Sequence, residues 1–206
     1  MPRNFLEISL HYSTVYAATG HNPHMYEYNA IDYGVCSILE LPITPEMVEN
    51  AKARRNELPR SPTDSIMDGT RTEHGLVGEE MVLAYLTHQI RNDPRTQVGI
   101  QSTYDYDIIL YTGVFRASID VKTKVSNHVP HHDWSVSVAA ANITQKCDSY
   151  CFTRVFEDYS RGFLVGFKGK SDYFDKAEFL KRGQMDYDNM YRVRADCYNM
   201  RIYELD

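Results

Sequence analysis

The sequence predicts an α/β fold: a mixed sheet, antiparallel towards its edges, flanked by helices. Three observations point there. Leu76, Val77, Val82, Leu83, Leu86 and Ile90 recur at helical spacing and form one apolar stripe. Short runs rich in Ile, Val, Tyr and Thr follow, punctuated by Gly, Asn, Asp and Pro. A second helical pattern comes only after those runs, so helices and strands share one domain.

The elements follow in order. Residues 1–43 read as short strands and loops, with apolar runs broken by Gly20, Asn22-Pro23 and Gly34. Thr44 is an N-cap and Pro45 takes the first helical position, where its missing N–H costs nothing, so a helix runs to about Asn56. Leu58-Pro-Arg-Ser-Pro-Thr-Asp is a loop and the best boundary. That divides the chain into an N-terminal extension, 1–72, packing on a core domain, 73–206. The core domain opens with the striped helix from Glu73, which Asn92-Asp-Pro ends. Strands are expected over 104–112, 114–125 and 134–141, then a short turn or helix over 142–148. Strands over 150–156 and 163–167 come next. A helix over 171–180 is capped by Ser171, with Asp172 in its first turn. One further strand lies within 191–205.

Composition narrows the class. The chain has 206 residues, 43% apolar and 24% charged, which is enough apolar material for a core without disulfides or a structural metal. No apolar run approaches 18 residues, so no membrane span is expected. Met1-Pro-Arg-Asn-Phe-Leu-Glu lacks the apolar stretch of a secretory signal. Cys36, Cys147, Cys151 and Cys197 match no zinc spacing and read as reduced, mostly buried thiols in a cytoplasmic protein. The net charge of −6 argues against a protein that coats nucleic acid non-specifically. It does not argue against an enzyme that touches nucleic acid locally, since acidic metal ligands lower net charge.

Two strand segments break their own apolar pattern. One is Tyr104-Asp-Tyr-Asp107-Ile-Ile-Leu and the other Ser118-Ile-Asp120-Val-Lys122-Thr-Lys124. Alternation puts Asp120, Lys122 and Lys124 on one face of a strand. A carboxylate and an ammonium among Ile119, Val121 and Val125 must be paired or bind a metal. Asp107 and Asp120 supply hard oxygen ligands for a divalent cation. Such a cation polarises a phosphate and acidifies a bound water. Lys122 then orients that water or neutralises charge developing on the phosphate.

Asp107, the Asp120-Val-Lys122 segment after twelve intervening residues and an upstream helix with Gly78-Glu79-Glu80 together resemble the PD-(D/E)XK nuclease superfamily. The resemblance covers roughly 73–156. It implies a restriction-endonuclease-like α-β-β-β-α-β core and a magnesium- or manganese-dependent nuclease acting on DNA, less often RNA. It implies Asp107 and Asp120 as metal ligands, Lys122 as the catalytic lysine, and Glu79 or Glu80 as the helix carboxylate. Glu79 is preferred, because it projects from the middle of the stripe, three residues after Leu76 and four before Leu83. Glu80 lies nearer the edge and reads as an exposed helix residue.

Gln145-Lys-Cys-Asp-Ser-Tyr150 resembles the Gln…Tyr element of RecB-like and lambda-exonuclease-like members, with one residue more than the usual spacing. There the glutamine supports the active site and the tyrosine packs near DNA. The segments beginning at Cys147 and Ala195 are also similar to bacteriophage members, which implies a phage origin and action in the host cytoplasm. Homodimers are common in this superfamily, since cutting two strands needs two sites.

Blander readings stand beside these. The alternative for Asp120, Lys122 and Lys124 is the solvated face of an edge strand. Asp105, nearer the strand's start, reads as a surface residue. His128, His131, His132 and Asp133 share one Pro-containing loop with no second cluster at zinc spacing, so a rim position near substrate phosphates fits better than a metal site. His74 either faces the cleft or is an ordinary helix-start residue. Lys52-Ala-Arg-Arg55, Lys168-Gly-Lys170, Arg60, Arg71 and Lys146 are candidate backbone contacts or solvated charges. From a different class, the chain would be a silent nuclease-fold module that grips nucleic acid or a protein partner without cutting it. Cleavage of RNA is the third reading.

Overall fold

A computed structural model describes residues 29–32, 37–57, 73–101 and 103–206. The readings of residues 1–28, Cys36, the 58–64 loop, Arg60 and Arg71 lie outside the described residues. Strands β1 (Asn29–Asp32) and β2 (Ser37–Leu41) form an antiparallel hairpin, and helix α1 (Pro45–Glu57) follows. Thr44 caps α1 as expected: its hydroxyl accepts the Met47 N–H at 3.2 Å. Helix α2 (Glu73–Ile90) buries Leu76, Val77, Val82 and Leu86 of the predicted stripe, together with Met81, and leaves Leu83 and Ile90 partly buried.

After α2 come β3 (Thr96–Ile100), β4 (Ile108–Thr112) and β5 (Phe115–Val125), a meander in which each strand is antiparallel to the next. Gly113, at φ +60, starts the two-residue turn between β4 and β5, where a side chain would be strained. The chain then crosses through β6 (Ser135–Ala139) and a 3₁₀ helix (Ala140–Thr144) to β7 (Ser149–Val155). β7 pairs parallel with β5, which requires a long crossover of this kind. β8 (Gly162–Gly169) returns antiparallel beside β7. The main sheet has seven strands in the order β1-β2-β8-β7-β5-β4-β3. This is the mixed α/β class expected, with a helix, a three-stranded antiparallel meander and a parallel return strand in that order.

Helix α3 (Lys170–Lys176), β9 (Glu178–Leu180), the small pair β10 (Met185–Asp186) and β11 (Tyr191–Arg192), and β12 (Cys197–Arg201) complete the chain. β12 lies between β6 and β9 in a separate three-stranded sheet. The main sheet thus has two cores. Ile119, Val121, Cys151 and Val155 join α2 on one face. Tyr150 and Phe152 join Tyr173, Val138 and Met200 on the other. Cys147, Cys151 and Cys197 are buried free thiols. Among the described residues, no helix is long and apolar enough to cross a membrane.

The structure differs from the sequence reading at four places. β3 was not anticipated: it is short and interrupted by Gly99, which erases the strand pattern. Consequently β3, not the 134–141 segment, is the third strand of the meander, and β6 belongs to the second sheet. Residues 104–107 are not strand, because Thr103 folds the chain back: its hydroxyl donates to Tyr106 O at 2.8 Å. The helix expected over 171–180 ends at Lys176, since β12 offers residues 178–180 a ladder to join. Its N-cap is Gly169, with no side-chain cap, rather than Ser171.

Gly78 fixes how closely α2 approaches the parallel pair. A Cβ there would collide with Thr123 Oγ1 and come within 2.7 Å of Thr153 Oγ1. Both threonines are β-branched, with little rotamer freedom to yield. Gly78→Ala is therefore expected to lower stability in urea unfolding by about 1–3 kcal/mol, despite the ~1 kcal/mol of helix propensity alanine adds. Adding Thr123→Ala should recover much of that loss.

Candidate functional site

The site is built where the β4–β5 ladder ends. Its register pairs Ile108 with Ile119, so the next position outward sets Asp107 beside Asp120. The Asp107 N–H donates to Ile119 O at 3.0 Å, and the Val121 N–H donates to Asp107 Oδ2 at 2.8 Å. The turn at Thr103–Tyr106 carries the chain away, leaving two buried carboxylates at the mouth of the ladder.

Gln145, just past the 3₁₀ helix, ties this end together. Its amide nitrogen donates to Asp120 Oδ1 at 3.0 Å and to Tyr104 O at 2.8 Å. Its amide oxygen accepts from Lys122 Nζ at 3.4 Å. Lys122 forms an ion pair with Asp120 Oδ2 and lies 5.7 Å from the centre of the Tyr150 ring. Lys170 Nζ donates to Gln145 O, fixing the glutamine's backbone. Asp120, Lys122 and Gln145 thus form one network, with Asp107 on its flank.

Glu79 reaches this group from α2. It is buried and held by Arg54 of α1, which also bonds Glu80 at 2.8 Å. Burial, followed by the charges of Glu79 and Asp120, holds the Asp107 carboxyl well above the ordinary carboxylate range; the Val121 amide and Lys122 pull the other way. Glu79 therefore acts on Asp107. Glu80 is also buried, contrary to the exposed position expected of it, because Arg54 covers both glutamates.

Three buried carboxylates in this part of the fold suit a divalent cation chemically, through hard oxygen donors. Like charges so placed are costly without a positive partner. Glu79, Asp107 and Asp120 do not close on one point, however. Among the described residues, the group whose ligand atoms all lie within 4.8 Å is His131, His132 and Asp133. Arg54 stands on Glu79 and Lys122 on Asp120, so the protein's own cations occupy two of the three carboxylates.

Other sequence candidates fall elsewhere. Lys168 is buried and holds Glu204 O at 2.8 Å, and Lys170 serves Gln145, so the 168–170 pair faces inward rather than towards a phosphate backbone. Tyr150 is fully buried among Phe152, Tyr173 and Phe174 and supports Lys122. His74 stacks on Tyr159 and lies 3.1 Å from Glu157 O. Asp105, partly exposed as expected, accepts the Lys146 N–H at 3.2 Å. Arg54 is what sequence reasoning missed, having treated it as one of a basic cluster. The signal was its place three residues after the buried Ala51, on the face of α1 that packs inward.

Removing one partner of a buried ion pair leaves an uncompensated charge. Arg54→Met is therefore expected to destabilise the protein by about 3 kcal/mol in urea unfolding. Adding Glu79→Gln should recover part of that loss, since the two positions are coupled.

No family model and no curated protein matches the chain. Among solved structures, it is similar to Hjc, a Holliday junction resolvase from the archaeal hyperthermophile Archaeoglobus fulgidus. The identity is 9% and the TM-score 0.31, over 59% of this chain and 83% of that one. An overlap this weak carries no argument about fold or function.

Proposed function

We propose that the chain is a divalent-metal-dependent nuclease hydrolysing nucleic-acid phosphodiester bonds, with DNA ahead of RNA. The observation behind this reading is the burial of Asp107 and Asp120 side by side, with Glu79 acting on Asp107. Evolving a fold around adjacent like charges makes physical sense when a cation is to bind them. Glu79, Asp107 and Asp120 would hold magnesium or manganese, which when bound polarises a phosphate and lowers the pKa of a water.

The chain's own residues have separate tasks. Lys122 holds positive charge at the site and orients the attacking water or stabilises the anionic phosphate. Gln145 fixes the Asp120 carboxylate and the Lys122 ammonium relative to each other, using one amide face for each. Arg54 positions Glu79.

A second reading, a silent nuclease-fold module, is favoured by one observation. Arg54 and Lys122 already neutralise two of the three carboxylates. The readings part on whether a cation displaces these pairings.

Cleavage of supercoiled plasmid, linear duplex, single-stranded DNA and RNA should depend on Mg²⁺ or Mn²⁺ and stop in EDTA. Asp120→Ala should lose both cation binding, measured calorimetrically, and cleavage. Lys122→Ala should keep the cation and lose cleavage by about 10²-fold or more. Parental cutting by either variant would refute the assignment. Absence of both cation binding and cutting in the parent would leave the module reading.

A further inference from the structure

The β5 face that carries Asp120 and Lys122 does not end there. Two residues along it is Lys124, and the parallel register places Lys124 directly beside Arg154 of β7. Two cations side by side on neighbouring strands repel each other. Arg154 is only 3% exposed, and no carboxylate among the described residues lies within ion-pair distance of it. Its guanidinium lies 4.6 Å from the centre of the Trp134 ring and donates one long bond, 3.4 Å, to His128 O. Its buried Nε has no hydrogen-bond partner.

Lys124 is similarly short of a counter-ion. Its ammonium donates to Asn189 Oδ1 at 3.2 Å and lies 5.0 Å from the centre of the Tyr191 ring, both neutral groups. Asp186 attracts it, but that carboxylate is committed to the Asn189 backbone N–H and to the amides of Asn189 and Asn199. Burial and the neighbouring Arg154 pull the Lys124 ammonium down to about 8. Buried charges are ordinarily paired. Here two adjacent ones stand side by side, and the carboxylate that acts on Lys124, Asp186, is engaged by asparagine amides.

We propose that Lys124 and Arg154 form a phosphate-binding site that takes a phosphate group of the nucleic-acid chain. The choice of ligand rests on the nuclease reading above, and the position supports it. Two residues of strand separate Lys124 from Lys122 by roughly 6.6 Å, a distance on the order of one step along an extended nucleic-acid strand. A phosphate held at Lys124 would set its neighbour at Lys122. Lys124 is partly exposed and forms the entrance, with Arg154 behind it as a fixed, desolvated charge.

The test reads binding apart from cleavage. Fluorescence anisotropy of labelled DNA in EDTA, over a series of salt concentrations, compares the parent with Lys124→Gln and Arg154→Met. Each variant should bind about fivefold more weakly and reduce the log–log salt slope by about one. Inorganic phosphate should raise the parent's melting temperature relative to chloride at equal ionic strength, and the variants should lose that rise. In chloride their melting temperatures should match or exceed the parent's, because a buried unpaired cation has been relieved. Loss of binding on 5′-phosphorylated and unphosphorylated DNA alike would assign an internal diester; loss on the phosphorylated strand alone would assign a terminal monoester.

Parental binding and slope in the variants would overturn the proposal, as would a melting temperature in chloride that falls while binding holds. Should Arg154→Met fail to fold, Lys124→Gln at its partly exposed position decides the matter. Metal-dependent cutting by the parent, compared with Asp120→Ala, separately reads the nuclease assignment. Cutting with unchanged binding in Lys124→Gln would therefore sink the phosphate site alone.

Discussion

Strand β5 must satisfy two faces with opposite requirements. Ile119, Val121 and Thr123 meet α2, where the approach is so close that position 78 has no room for a side chain. Ser118, Asp120, Lys122 and Lys124 face the other way, towards Gln145, Tyr150, Arg154 and the β10–β11 segment. Because successive side chains alternate, a one-residue slip would bury the charges against α2 and turn the apolar residues into the site. The tight packing at Gly78 and the parallel ladder to β7 hold the register that keeps the two faces apart.

Two of the site's three carboxylates carry ion pairs. Asp120 is buried, yet Lys122 is two residues along the same strand and reaches back to it. Glu79 is buried on α2, and α1 brings Arg54 against it. Pairs of this kind contribute little net stability compared with apolar packing, and breaking them is costly. Their effect is therefore mainly on geometry. α1 couples the segment before the core to the carboxylate group through one guanidinium bonded to two adjacent glutamates.

What the sequence made legible follows from physical locality. The helix stripe from Leu76, the Thr44-Pro45 cap, and the odd–even split of 118–124 depend on neighbouring residues, and each is present in the structure. The end of helix α3 and the sheet that β6 joins differ from expectation because distant partners decide them: β12 claims one edge of β6 and the 178–180 segment. β3 was lost because Gly99 and Gln97 dilute a five-residue strand that β4 nevertheless pairs. At the site, the spacing of Asp107, Asp120 and Lys122 was visible, while Arg54, 25 residues before Glu79, was not. A pairing across that separation needs the packing of α1 on α2, which no local pattern encodes.

The acidic net charge and the proposed ligand are compatible for the same reason. At physiological ionic strength, screening acts over about 8 Å, so a polyanion responds to local charge rather than to a total of −6. Along one face of β5 the order is Arg116, Ser118, Asp120, Lys122, Lys124, with Arg154 beside the last. Cations flank a single acidic position. A nucleic-acid strand lying along this face, as proposed, would meet positive charge on both sides of Asp120. Acidic residues elsewhere would weaken binding away from this face and leave the attraction along it.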